Sequence, residues 1–151
     1  MSDRSYFQII ILKVGGPRRA EAIAEILEHE GITCEYAEKT DGSLELGKRY
    51  VAEEMSLDTY TTLADQIIGA APSTTFECWN DPKYEYGGGY CAYSPGLGRF
   101  EGDCDSDGNP YLTAPQLRDI IEKGDPTVPL AQRITERAGI AWQDLMTQLS
   151  S

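Results

Sequence analysis

The chain has 151 residues, 40% hydrophobic and 25% charged, which is enough for one domain with an apolar core and unlike a disordered composition. Lys and Arg total 13 against 25 Asp and Glu, a net charge of −12 that repels phosphate backbones and anionic bilayers, so direct nucleic-acid and membrane partners are not expected. No apolar run reaches the ~20 residues of a membrane span, and the segment from Met1 to Phe7 lacks the sections of a signal peptide, so a cytoplasmic location is expected.

Tyr6 to Val14 is rich in β-branched and aromatic residues and almost continuously apolar, the pattern of a central strand covered on both faces. Gly15, Gly16 and Pro17 break it and open a helix from Arg18 to Glu30. There Ala20, Ile23, Ala24 and Leu27 share one face, and Glu21, Glu25 and Glu28 form an acidic stripe. Gly31 ends this helix; Ile32 to Lys39 alternates as a half-exposed strand, and Asp41-Gly42 is a turn. A further strand falls within Leu44 to Glu54. Ser56 is then placed to cap a helix over 57–69 carrying Leu57, Tyr60, Ala64 and Ile67. Pro72 stops that helix, and Thr74 to Trp79 reads as the next strand.

This order predicts an α+β fold: a ferredoxin-like βαββαβ sandwich over residues 1–79, with both helices on one face of an antiparallel sheet. From 80 to 112 short aromatic segments separated by turn residues predict added hairpins, roughly Tyr84–Tyr86, Tyr90–Tyr93 and Arg99–Cys104. Residues 113–151 read as C-terminal helices. Thr113 and Gln116 form a capping box with Gly124 at the helix end, and Gly139 separates Pro129–Ala138 from Ile140–Leu149. The whole reads as a single domain whose helical tail packs on the sheet.

Cys34, Cys78, Cys91 and Cys104 are expected to be free thiols. Cys78, Cys91 and Cys104 stand thirteen residues apart, with no short chelating pair to suggest zinc. Asp105, Asp107 and Asn109 fall at the first ligand positions of an EF-hand loop. Pro110 stands where that loop needs Gly, however, and Gln116 where it needs a bidentate Glu, so a turn at Asp107-Gly108 is preferred to a weak calcium site. Gly15, Gly16, Arg18 and Arg19 sit at a helix N-terminus, a place for a weakly held anion, but the spacing is no nucleotide fingerprint and no cofactor is expected. His29, the single histidine, follows the acidic stripe and reads as a surface residue. No catalytic constellation accompanies it, so an enzyme is not expected.

The aromatic cluster is the feature that most suggests function. Trp79, Tyr84, Tyr86, Tyr90, Tyr93 and Phe100 lie in the most turn-rich stretch, and tyrosines on such turns supply contact area at small entropic cost. The expected function is therefore a non-enzymatic, acidic protein-interaction module that binds or inhibits a partner through these aromatics. A second reading is a DNA-mimicking inhibitor of a nucleic-acid-binding enzyme, using Glu21, Glu25 and Glu28 with Asp103, Asp105 and Asp107, provided they share one surface. A third is a small-ligand or weak calcium-binding regulatory domain.

Overall fold

The computed structural model describes residues 4–56, 58–82 and 88–150. Its strands form one open, antiparallel seven-stranded sheet in the order β2-β3-β1-β4-β5-β6-β7, and five helices pack around it. In chain order these are β1 (Arg4–Lys13), α1 (Pro17–His29), β2 (Thr33–Cys34), β3 (Arg49–Ser56), α2 (Thr59–Ala70), β4 (Thr75–Asn80), β5 (Gly88–Ser94), β6 (Gly98–Cys104), β7 (Pro110–Tyr111), α3 (Ala114–Lys123), α4 (Leu130–Ala138) and α5 (Ile140–Ser150). The sheet runs unbroken from the first unit into the hairpin extension.

β1 shows why both faces are covered. Successive side chains of a strand point to opposite faces, and here both sets are apolar but for Gln8. Phe7, Ile9 and Ile11 face one way, into a core with Ile23 and Leu27 of α1 and Leu63, Ala64 and Ile67 of α2. Ile10 and Leu12 face the other way, where Trp79, Tyr90, Ala92, Phe100 and Cys104 pack with Trp142 and Met146 of α5. The expectation that α1 and α2 share a face with β1 between antiparallel neighbours therefore holds. Each fully buried Ile, Leu or Phe contributes ~1.5–3 kcal/mol relative to exposure, so both faces carry weight in stability.

The C-terminal helices follow their local signals. Thr113 Oγ1 accepts from Gln116 N at 3.3 Å, and Gln116 Oε1 accepts from Thr113 N at 2.7 Å, closing the capping box. Gly139 ends α4 at φ 72°, and a Cβ there would stand 2.5 Å from the Phe100 ring, so the residue serves both the turn and the close approach of α5. Trp142 Nε1 donates to Gly98 O at 3.0 Å and fixes α5 against the β5–β6 turn.

Two expected elements differ. The strand expected over 32–39 survives only as Thr33–Cys34. Beyond it Tyr36 and its neighbours are exposed. Asp41 Oδ1 accepts from Ser43 N and Oγ, and Glu45 Oε1 accepts from Glu38 N, so side chains satisfy the backbone instead of a ladder. Ser56 does not cap α2 but ends β3, its Oγ donating to Asp58 Oδ1 at 2.6 Å, and the helix starts at Thr59. Leu57 and the Tyr84–Tyr86 segment lie outside the described residues.

Candidate functional site

The aromatic residues expected to bind a partner divide by the pleat of the sheet. Trp79 pairs with Tyr90 across β4 and β5, and Phe100 lies beside Ala92, so all three point to the second face beneath α5. Tyr90 is fully buried, Trp79 is 2% exposed and Phe100 8%. Phe100 stacks on Trp142 with ring centroids 5.3 Å apart, and Gly108 leaves room for the Trp79 ring, which lies 2.6 Å from where a Cβ would be. This is a correction: Trp79, Tyr90 and Phe100 are core, not a docking surface. The reason is non-local, because α5 returns from the end of the chain to cover them. Tyr93 points to the first face, half-buried against Phe76, its hydroxyl donating to Pro72 O at 2.9 Å. Tyr84 and Tyr86 lie outside the described residues.

The same face carries two polar groups that break its apolar pattern. Glu77 follows Phe76 on β4 and points under α5. Its Oε2 accepts from the Tyr90 hydroxyl at 2.6 Å, and that hydroxyl accepts from Gln143 Nε2 of α5 at 2.5 Å. Burial raises the Glu77 carboxyl above its ordinary pKa, against the opposing pull of the Tyr90 hydrogen bond and the Arg49 charge. Burial and the adjacent Glu77 also push the Tyr90 hydroxyl well above the usual phenol range, so it stays a donor. A shallow cleft of about 340 Å³ opens here between Glu77, Gln143, Met146, Thr147 and Ser150.

The second group lies on β1, two residues before Ile10, the partner of Glu77. Gln8, 4% exposed, donates through Nε2 to Asp81 Oδ1 at 3.2 Å, while its buried Oε1 has no partner among the described residues. Burial raises the Asp81 carboxyl, with Asp107 adding to the shift and the Gln8 bond opposing it. Arg49 of β3 reaches over the Trp79 ring at 6.0 Å from its centroid. Beside it β3 is open, with Tyr50 and Ala52 buried on the first face and Arg49 and Glu53 exposed on the second. Sequence reasoning missed Gln8 and Glu77. Their signal was a polar residue inside a strand apolar on both faces, where burial without a partner is costly.

The acidic residues do not form one row. Glu21, Glu25 and Glu28 are exposed along α1, over the first face. Asp103 is half-buried and accepts from Gln116 Nε2 at 3.1 Å. Asp105 serves its own turn, its carboxylate accepting from Asp107 N, Asn109 N and Asn109 Nδ2, which holds its pKa below the usual range. Asn109 thus turns its amide toward Asp105 as a donor within the turn. Asp107 is exposed. Gly16 caps α1 without a side-chain bond, Gly15 lies against Ser73, and Arg18 and Arg19 are exposed and extend from the helix start. His29 is exposed, as expected.

Apolar surface remains at the far end of the second face. Leu97 in the β5–β6 turn and Leu149 of α5 are 42% and 38% exposed. Together with Leu145, Pro95 and Thr75 they line a cleft of about 520 Å³, with Lys13 at its edge.

Fold and site together define an α+β protein built on an open antiparallel sheet, with a helical tail closing half of its second face. Residues 32–150 match the family described as a protein of unknown function, DUF3145, and the chain belongs to that family. No curated protein and no solved structure matches it. Among the described residues, no helix is long and apolar enough to cross a membrane.

Proposed function

We propose that the protein is a non-enzymatic, acidic interaction module of the cytoplasm that binds a partner protein at the cleft between the β5–β6 turn and α5. The observation that carries the reading is the pairing of exposed Leu97 and Leu149 across a 520 Å³ cleft, in a protein whose Trp79, Tyr90 and Phe100 are taken up by its core. Such a cleft suits one or two apolar side chains of a partner, with the polar rim excluding water around them. The net charge of −12 then sets the approach of a basic partner more than the strength of the complex. The architecture assigned to this module is a ferredoxin-like core with a hairpin and helix extension. The β2-β3-β1-β4 order, with α1 and α2 on one face, supports that assignment. Four free cysteines suit a reducing compartment.

The DNA-mimic reading keeps one support, the exposed Glu21, Glu25 and Glu28 stripe on α1. A single experiment separates the two. Partners are captured from lysate of the producing cell, and the recovered partner is then titrated against wild type, Leu97→Asp/Leu149→Asp and Glu21→Lys/Glu25→Lys/Glu28→Lys at two salt concentrations. Under the proposal the leucine variant dissociates faster, with a loss of ~1–3 kcal/mol. The lysine variant changes mainly the association rate. Unchanged affinity in the leucine variant overturns the proposal. Loss of binding only in the lysine variant, with steep salt dependence, establishes the mimic instead.

A further inference from the structure

The first face carries a second chemical feature, independent of the cleft. Cys78 of β4 and Cys91 of β5 stand directly opposite one another in the antiparallel ladder. Both point into the core under α2, and both are fully buried. Opposed residues of antiparallel strands have Cα atoms ~4.5–5.5 Å apart, inside the ~4.4–6.8 Å window a disulfide requires. The backbone is thus already placed for an S–S bond, and the thiols are free.

The surroundings of the pair are asymmetric. Arg99 of β6 lies diagonally from Cys91 on the same face, since Glu101 pairs with Cys91 and Arg99 with Tyr93. Its terminal nitrogens bond Asp65 and the Thr61 carbonyl of α2, and Glu101 at 3.0 Å. Its Nε is buried with no hydrogen-bond partner among the described residues. Facing Cys91 are therefore Cys78 from β4, Arg99 and Glu101 from β6, and Tyr60 from α2. The hydrogen bond from the Cys78 thiol and the Arg99 charge hold the Cys91 thiol below its ordinary pKa, while burial raises Cys78, whose Sγ lies 3.9 Å from Tyr60 O. Cys104, in the other core, has no such cation and is pushed up to about 12 by burial and neighbouring aspartates.

We propose that Cys78 and Cys91 are a peroxide-oxidisable dithiol, in which Cys91 attacks the oxidant and Cys78 resolves it to a cross-strand disulfide beneath α2. In the first step the Cys91 sulfur lone pair attacks one oxygen of hydrogen peroxide. The O–O bond breaks, and the departing hydroxide takes the Cys91 proton and leaves as water, giving a sulfenic acid. In the second step the Cys78 sulfur attacks the Cys91 sulfur. The S–O bond breaks, and hydroxide leaves with the Cys78 proton as a second water. Two thiols are oxidised and one peroxide is reduced. Peroxide reaches the pair when α2 lifts locally, a motion that the Arg99 contacts to Asp65 and Thr61 oppose, so the observed rate is the small open fraction multiplied by the chemical step and keeps that step's pH dependence.

The test treats the full chain, carrying Cys34→Ser to remove the half-exposed thiol, with graded hydrogen peroxide. Remaining thiols are then alkylated in denaturant and the peptides mapped by mass. The expected result is a Cys78–Cys91 linked peptide and an intact mass lower by two hydrogens, with Cys104 still alkylated. With Cys78→Ser, a cyclic diketone should trap Cys91 as its sulfenic acid. With Cys91→Ser, no adduct should form at Cys78. As a positioning residue, Arg99 should shift the pH profile of oxidation upward when changed to Gln and restore it when changed to Lys. Full alkylation of Cys78 and Cys91 after prolonged exposure to excess peroxide that oxidises both thiols in the urea-unfolded chain overturns the proposal, as does a pH profile unmoved in Arg99→Gln. The mapping of the Cys34→Ser protein decides even where the other serine variants fail to fold.

Discussion

Tyr90→Phe isolates the hydrogen bonds that tie α5 to the sheet. The ring is fully buried and packs on Phe100 at 6.1 Å between centroids, and Phe keeps that contact and its volume. What is lost is the hydroxyl that donates to Glu77 Oε2 at 2.6 Å and accepts from Gln143 Nε2 at 2.5 Å. A hydrogen bond to a charged group is worth ~1.5–3 kcal/mol and a neutral one ~0.5–1.5. Gln143 is only half-buried and recovers water, so its bond counts at the low end. The expected loss is about 2–3 kcal/mol, equivalent to a fall in Tm of about 5–10 °C for a domain of this size. Urea unfolding at pH 7, followed by tryptophan fluorescence with the m-value checked for constancy, measures it. A Glu77→Gln partner variant closes a double-mutant cycle, in which the pair should couple by ~1 kcal/mol or more. A loss below ~0.5 kcal/mol for Tyr90→Phe, within the range of an inert surface change, would refute the view that this network holds α5.

Glu77 also sets a pH dependence. Its folded pKa is raised above the unfolded one, so the native state binds more protons in between, and stability falls as pH rises from the ordinary Glu value of ~4.3 through the raised value. Glu77→Gln should flatten that slope in urea titrations between pH 4 and 7, and an unchanged slope would show that Glu77 is not its source. Gly139→Ala places a Cβ at φ 72° and 2.5 Å from the Phe100 ring, so strain and overpacking should each cost ~1–3 kcal/mol, read as a lower urea midpoint.

What was legible in the sequence was local. The continuous apolar run of β1, the helical spacing of Ile23 and Leu27, the Thr113–Gln116 box and Gly139 each determine structure within a few residues, and each element formed where those signals placed it. The fate of the aromatics was not local. Alternation along YCAY does separate Tyr90 and Ala92 from Cys91 and Tyr93, but nothing near them says that α5, fifty residues later, covers the first pair. The opposition of Cys78 and Cys91 likewise depends on the β4–β5 register, which equal spacing in sequence could not reveal. The strand expected over 32–39 is cut short because its pairing with β3 ends at Cys34 and one further bond from Glu35 N to Arg49 O, after which polar side chains offer the backbone other bonds.

Helix α5 therefore joins stability to the proposed binding surface. Its Trp142 and Met146 seal the second core, its Gln143 reaches the Tyr90–Glu77 pair, and its Leu145 and Leu149 form one wall of the open cleft. The helix is short, and most of its outer surface is exposed, so its position rests on those few contacts. A partner seated on Leu149 would gain from a helix already held in place, because ordering it on binding would subtract from affinity. On this argument the buried polar network does more than satisfy a stray carboxylate. By holding Gln143 it fixes the rotation of α5, and with it the direction in which Leu145 and Leu149 face Leu97 across the cleft.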